Sequence, residues 1–193
     1  MNQALFLAIN GLVGQNAWLD GMMIALATAG PFVMFGAVLA LGIAGVVRHR
    51  DDRARWAVHT LVFMGINLVL SMVIGFIHYS PRPFVNQTVN QLVPHSADSG
   101  LPSDHATGSM ALAVGSWDFS RWMGAAMTVL AVLVGLARVY VGVHYPADIL
   151  AAWLLVGLSS LVYRRFLSGW VDWLIDGAAA VWALFKLGRS RSM

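Results

Sequence analysis

Long apolar runs alternate along this chain with short polar or basic breaks, and the runs have the length of membrane-crossing helices. A helix needs about 20 mainly apolar residues to cross a bilayer. Residues 21–47 and 56–78 meet that requirement plainly, 122–138 and 147–163 are good candidates, and 105–119 is a shorter, weaker one. Pro31 interrupts the first run, and a proline inside a membrane helix frees a carbonyl and predicts a kink. The two ends are different. Residues 1–18 are apolar but short for a crossing, and 166–186 are interrupted by Asp172 and Asp176, four apart on one helix face, with Trp170, Trp173 and Trp182 marking interfacial positions. The pattern predicts an all-α integral membrane helix bundle of five to six transmembrane helices. Its amphipathic terminal helices (1–18 and 166–193) lie at the membrane surface, a sixth crossing being the alternative for the second. With no fixed-period repeat, low-complexity tract or linker, residues 1–193 read as one membrane-embedded domain.

Composition agrees with a lipid solvent. Of 193 residues, 59% are hydrophobic and 11% charged, against about 25% charged in ordinary soluble domains. A soluble domain of this size leaves about a third of its chain's surface exposed, which this much apolar area does not allow. A soluble globular protein and a disordered one are both excluded. The basic residues are eleven Arg and one Lys, the acids nine Asp and no Glu, and the net charge is +3. The cations are scattered between apolar runs, not gathered into a nucleic-acid-binding face. With no Cys, disulfides and thiolate metal sites are impossible. The N-terminus lacks the basic start and small-residue cleavage site of a signal peptide and reads as part of the mature chain.

Arginines near helix ends are retained on the cytoplasmic side. Four lie in 48–55, one at Arg121 and two at Arg164 and Arg165, and with five alternating crossings these connections share one side. Lys186, Arg189 and Arg191 favour the same side for the C-terminus. Connections 79–104 and 139–146 then share the outer face, where only Arg82 and Arg138 are basic.

The remaining polar residues crowd into YSPRPF (79–84), LPSDHATG (101–108) and ARVYVGVHYPAD (137–148), all at that outer level. This set suits a phosphate ester, since guanidinium forks hold its oxygens, imidazoles act as nucleophile and acid, and helix N-terminal amides bind further negative charge. Arg138, His144 and Asp148 are spaced six and then four apart. Asp148, in the first turn of a helix, is within reach of the His144 ring and can keep one nitrogen protonated while the other attacks phosphorus. Ser103 is a natural N-cap beside Asp104, and His105 is placed to protonate a leaving oxygen. Pro81 and Pro83 fix the backbone around Arg82. Each stretch alone also fits a plainer role: Asp148 as a helix-start anion, Ser103 and His105 as a solvated cap, Arg82 as a snorkelling cation. His59 and Asn67 fit interhelical hydrogen bonds, while His78, His95 and Asp98 border the long loop in ambiguous positions. No HExxH or similar zinc spacing is present, and the Met and Trp residues read as lipid-facing or packing groups.

Together the three stretches resemble the lipid phosphatase branch of the type 2 phosphatidic-acid phosphatase superfamily. That signature is a Lys separated by six residues from an RP pair, then PSGH, then SR followed after five residues by His and after three more by Asp. The matches are Arg82 and Pro83, then Pro102, Ser103 and His105, then Arg138, His144 and Asp148. The strings PRPFV, PHSAD, PSDH and HYPAD are similar to bacterial undecaprenyl-diphosphatases of the bacitracin-resistance type, with INGL near the N-terminus extending the likeness over most of the chain. The resemblance implies a site on the periplasmic side or cell exterior of the inner membrane that removes the terminal phosphate of a polyprenyl diphosphate, regenerating a carrier lipid for cell-wall synthesis. It implies that Arg82, Ser103 and Arg138 bind that phosphate, His144 attacks it, Asp148 orients the ring, and His105 protonates the leaving group and then activates water. It implies no required cofactor, with divalent-cation stimulation left open. Two positions depart from the signature: Gly75 stands where the Lys is expected and Asp104 where the Gly is. Asp104 is placed with the phosphate-binding residues, bonded to an arginine or recruiting a cation, and His78 is a candidate to replace the missing Lys. Phosphate transfer to lipid A, hydrolysis of another lipid phosphate, and a lipid transporter or scramblase are the competing readings.

Overall fold

The structure, a computed structural model, describes the backbone of residues 2–190 and the side chains of 2–181. Trp182, Lys186, Arg189 and Arg191, which entered the reading of the C-terminal segment, lie outside the described side chains. The helices in chain order are α1 (Asn2–Asn10), α2 (Ala17–Thr28), α3 (Gly30–Val47), α4 (Asp51–Ile77), α5 (Pro83–Asn86), α6 (Asp104–Ser116), α7 (Arg121–Tyr140), α8 (Pro146–Val162) and α9 (Ser168–Ser190), with a π-helical turn, Tyr163–Leu167, joining the last two.

The first apolar run is divided between α2 and α3. Ala29 separates them yet keeps right-handed helical backbone, and its N–H still reaches the Ala25 carbonyl while its own carbonyl accepts from Val33. Pro31, in the first turn of α3, has no N–H to continue the ladder. The interruption falls two residues before Pro31, where a break is expected. α2 begins upstream of the apolar run, because the Asn16 side chain accepts from Trp18 N at 3.0 Å and Leu19 N at 3.1 Å and so caps a helix start there. The N-terminal surface helix is thereby shortened to α1, whose Phe6 and Asn10 are buried.

Among the described residues, four helical runs are long and apolar enough to cross a membrane: α3, α4, α7, and α8 continuing into α9 as far as Val181. The shorter α6 lies at the centre of the bundle. Nine of its thirteen residues are buried, among them Ala106, Gly108, Ala111 and Leu112. A helix surrounded by protein does not need the lipid-facing apolar surface that marked the others. Large apolar side chains such as Phe32, Val47, Phe76, Leu154 and Leu161 point outward from the surrounding helices, as a multi-pass membrane protein requires.

The C-terminal segment does not turn back for a sixth crossing. From Pro146 to Val181 the chain runs for 36 residues without reversal, about 54 Å at 1.5 Å per residue, well beyond the hydrocarbon core of about 30 Å. Its far end is tied to the start of α4, where Arg55 donates to Asp172 at 2.7 Å and to Asp176 at 2.5 Å. Arg164 pairs with Asp118 at 2.9 Å at the same end. Interhelical polar pairs predicted within the second span are present: Ser159 donates to Asn67 at 2.6 Å, and His59 lies 2.9 Å from the Tyr163 hydroxyl. The basic connections therefore gather at one end of the bundle. The three polar stretches gather at the other.

Candidate active site

The C-terminal ends of α4 and α7 and the N-terminal ends of α6 and α8 meet at this second end, so residues far apart in sequence become neighbours. Between α7 and α8 the chain reverses in five residues, helped by Gly142 at φ 86°, a region that side-chain-bearing residues disfavour. The reversal turns His144 inward until 1% of its surface remains exposed. Its Nδ1 is 3.0 Å from the Gly100 carbonyl and 3.4 Å from Asp148 Oδ2. A carbonyl only accepts, so Nδ1 carries the proton and Nε2 presents its lone pair. That lone pair accepts from Arg82 Nη1 at 2.9 Å. Asp148 also accepts from Tyr145 N at 2.8 Å, so it is at once a helix-start anion and a support for the ring. Burial is the main reason the His144 imidazole is held well below its ordinary pKa, and the positive charges of Arg138 and Arg82 add to it. His144 is a neutral base.

Arg82 is buried and fixed on every side. Nε donates to Asp98 at 2.8 Å, Nη1 to the Val143 carbonyl at 3.1 Å, and Nη2 to the Ser99 carbonyl at 3.2 Å. Burial works against ionisation of Asp98, yet hydrogen bonds from Arg82 and Ser96 outweigh it and hold the carboxyl below its usual range. Ser103 is the N-cap residue of α6, but its hydroxyl caps nothing. Fully buried, it has no hydrogen-bond partner among the described residues. Arg138 is 2% exposed and donates through Nη1 to the Ala27 carbonyl at 3.3 Å, leaving Nε and Nη2 unpartnered. Buried polar groups are normally paired. Unpartnered donors near a neutral imidazole are an arrangement that can take up a tetrahedral oxyanion, a candidate phosphate cradle.

The structure thus brings Arg82, Ser103, His144 and Asp148 into one cluster, with the charge of Arg138 acting on His144 from beside it. His105 is half-buried at the start of α6 and makes no hydrogen bond among the described residues. Asp104 takes its hydrogen bond from α4. Its carboxylate accepts from Ser71 on α4 at 2.7 Å and bonds to no arginine among the described residues. The bond reaches across to the neighbouring helix, and Asp104 is still close enough for its charge to act on Arg138. His78 is not drawn in. It caps α4 with an exposed side chain, and Ser99 uses only its carbonyl. No group of three or more His or Asp side chains suited to holding a metal occurs among the described residues.

The contribution that sequence reasoning missed is the loop 95–101. Asp98, Ser99 and Gly100 hold Arg82 and the His144 ring, two of them through backbone carbonyls that carry no sequence signal. Gly75 allows this placement. A Cβ there would stand 3.4 Å from Ser99 Cβ and 3.5 Å from the Leu101 carbonyl, so the loop rests where a longer side chain would project.

Residues 56–172 match the family model of the PAP2 superfamily. The chain belongs to the PAP2 superfamily. Similar proteins include undecaprenyl-diphosphatase BcrC of Bacillus subtilis, 32% identical over 86% of this chain and 84% of that one. An undecaprenyl-diphosphatase of Sulfolobus acidocaldarius is 37% identical over 80% of this chain and 72% of its own. Among solved structures, Aquifex aeolicus LpxE superposes with a TM-score of 0.70 at 22% identity, covering 86% of this chain and 95% of that one. The PAP2-type phosphatidylglycerolphosphate phosphatase of Bacillus subtilis gives 0.61 at 22% identity, covering 85% and 88%. These two share the fold.

Proposed function

We propose that this PAP2 protein is an undecaprenyl-diphosphate phosphatase working through a phosphohistidine on His144. The observation that carries a phosphoryl-transfer site is the set of unpartnered buried donors, Ser103 Oγ and Arg138 Nε and Nη2, beside a histidine whose Nε2 lone pair meets Arg82. The polyprenyl substrate rests on the relatives named undecaprenyl-diphosphatase. Arg82, Arg138, Ser103 and the first amides of α6 hold the terminal phosphate. His144 Nε2 attacks in line; the P–N bond forms as the bridging P–O bond breaks, and His105 gives a proton to the departing lipid monophosphate. Gly100 and Asp148 hold the ring while its positive charge grows. Water, giving its proton to His105, then displaces the histidine and releases inorganic phosphate. Two guanidinium groups and fixed donors supply the charge stabilisation, so the reaction proceeds without a metal. The site faces the periplasm or cell exterior, opposite the basic connections, and the product returns to the carrier-lipid pool for cell-wall synthesis.

The test is phosphate release from undecaprenyl diphosphate by the purified protein in detergent with EDTA, beside His144→Asn. Release by the parent, with loss of at least about a hundred-fold in the variant and a trapped acid-labile phosphoprotein, supports the reading. Release retained by the variant overturns the nucleophile. Dependence on added cation overturns the metal-free mechanism.

A further inference from the structure

The loop between α5 and α6 delivers one more side chain to this site, and no step above uses it. The His95 ring lies 6.1 Å from the His144 ring, edge to face at 77°. Its Nδ1 is 3.1 Å from the Ser96 carbonyl and 3.7 Å from Asp98 Oδ1, on the carboxylate that holds Arg82. Both neighbours only accept, so Nδ1 carries a proton; Nε2 has no partner among the described residues and can donate to a phosphate oxygen once the anion beside it holds the ring in its imidazolium form. Arg82, Arg138, His105 and His144 are all close enough for their charges to be felt with that of His95. His95 differs from the cradle in its depth. Arg82, Ser103, Arg138 and His144 are buried, whereas the His95 side chain keeps 19% of its surface exposed. It stands at the rim.

In-line attack fixes where the rest of the substrate goes. The leaving oxygen lies on the far side of phosphorus from His144 Nε2, so whatever that oxygen carries extends from the buried cradle toward the rim. In a lipid monophosphate this is carbon; in a lipid diphosphate it is a second phosphate. We propose that His95 binds this second phosphate and is the side chain by which the site favours a lipid diphosphate over a lipid monophosphate. The assignment rests on the phosphatase reading above. As the bridging bond breaks, negative charge grows on the phosphate that His95 contacts, so the contact strengthens along the reaction and lowers the barrier.

The experiment compares kcat/KM for phosphate release from farnesyl diphosphate and farnesyl phosphate by the full chain, its His95→Asn variant and its His95→Lys variant. The expected result is a diphosphate-to-monophosphate ratio that falls about ten-fold or more in His95→Asn, the size of one charge-assisted hydrogen bond, and recovers in His95→Lys. A fall of equal size on both substrates, or none on either, overturns the assignment. Should His95→Asn fail to fold, His95→Gln read against His95→Lys supplies the same ratio. Release from neither substrate by the parent overturns the phosphatase reading and this one with it, whereas an unmoved ratio overturns His95 alone.

Discussion

Ser103 and Arg138 place buried donors where no acceptor among the described residues meets them, and a buried donor without a protein partner lowers the stability of the fold. Stability and activity should therefore move in opposite directions at Ser103. Ser103→Ala is expected to raise the unfolding free energy in detergent by about 1 kcal/mol while lowering kcat/KM at least about ten-fold. Denaturant titration beside phosphate release checks both; a variant that loses stability would make the hydroxyl a structural group. His144 gives a pH prediction with a definite sign. Protonation of Nε2 removes the nucleophile, and burial with the charges of Arg138 and Arg82 holds the imidazole below its ordinary range. The acid limb of kcat should accordingly lie below pH 6.5, the unperturbed value. Removing a positive neighbour weakens that effect, so Arg138→Gln should move the limb upward as well as lower its plateau. An unmoved limb would show that His144 is not the titrating group. At this scale most of the site was legible in the sequence, because Arg, Ser, His and Asp carry their chemistry in their side chains. The Gly100 and Ser99 carbonyls were not, since every residue has one.

Among the elements, the loop 95–101 and its seat on α4 decide the geometry. Gly100 is packed so closely that a Cβ would lie 3.2 Å from Asp148 Oδ2 and 3.3 Å from Arg82 Cγ, while the seat at Gly75 leaves ordinary contact distance for one methyl group. Gly75→Ala should keep activity within about two-fold, the scale of a neutral substitution. Gly75→Lys must displace Ser99 and Leu101, and with them the contacts to Arg82 and His144. It should lower kcat at least about a hundred-fold, in keeping with the sensitivity of catalysis to small misplacement. A fully active Gly75→Lys would mean that the loop does not organise the site. The helices themselves were legible in proportion to their exposure to lipid. α4 and α7 announce themselves by apolar length, whereas α6 reads as weak because Ala, Gly, Ser and Thr suit a helix packed on all sides by others. The join of α8 to α9 was hidden for another reason: charges at 164 and 165 mark a membrane boundary, but they do not stop a helix.

For the whole molecule, the same charges orient the bundle. Arg82 and Arg138 are the basic residues of the site-bearing end, and both are buried within it; Arg48, Arg50, Arg53, Arg55, Arg121, Arg164 and Arg165 lie at the other. Among the described residues, positive charge free to hold a connection on the cytoplasmic side is thus confined to one end, which supports the proposed outward placement of the site. In the proposed orientation, a diphosphate headgroup reaching the site from the outer leaflet would not have to cross the membrane, and its hydrolysis would leave the monophosphate lipid on the outer side. The chain has no native Cys, so single cysteines report each end without background. Thr88, in the connection before α6, and Arg48, between α3 and α4, are both exposed and outside the cradle. In intact cells whose outer barrier has been removed, Thr88→Cys should react with a membrane-impermeant maleimide, and Arg48→Cys only after the membrane is opened. Labelling of both from one side would break the alternating arrangement of five crossings. Labelling with the two sides exchanged would keep the fold and put hydrolysis in the cytoplasm, where the enzyme would act on newly made diphosphate before any carrier cycle had used it.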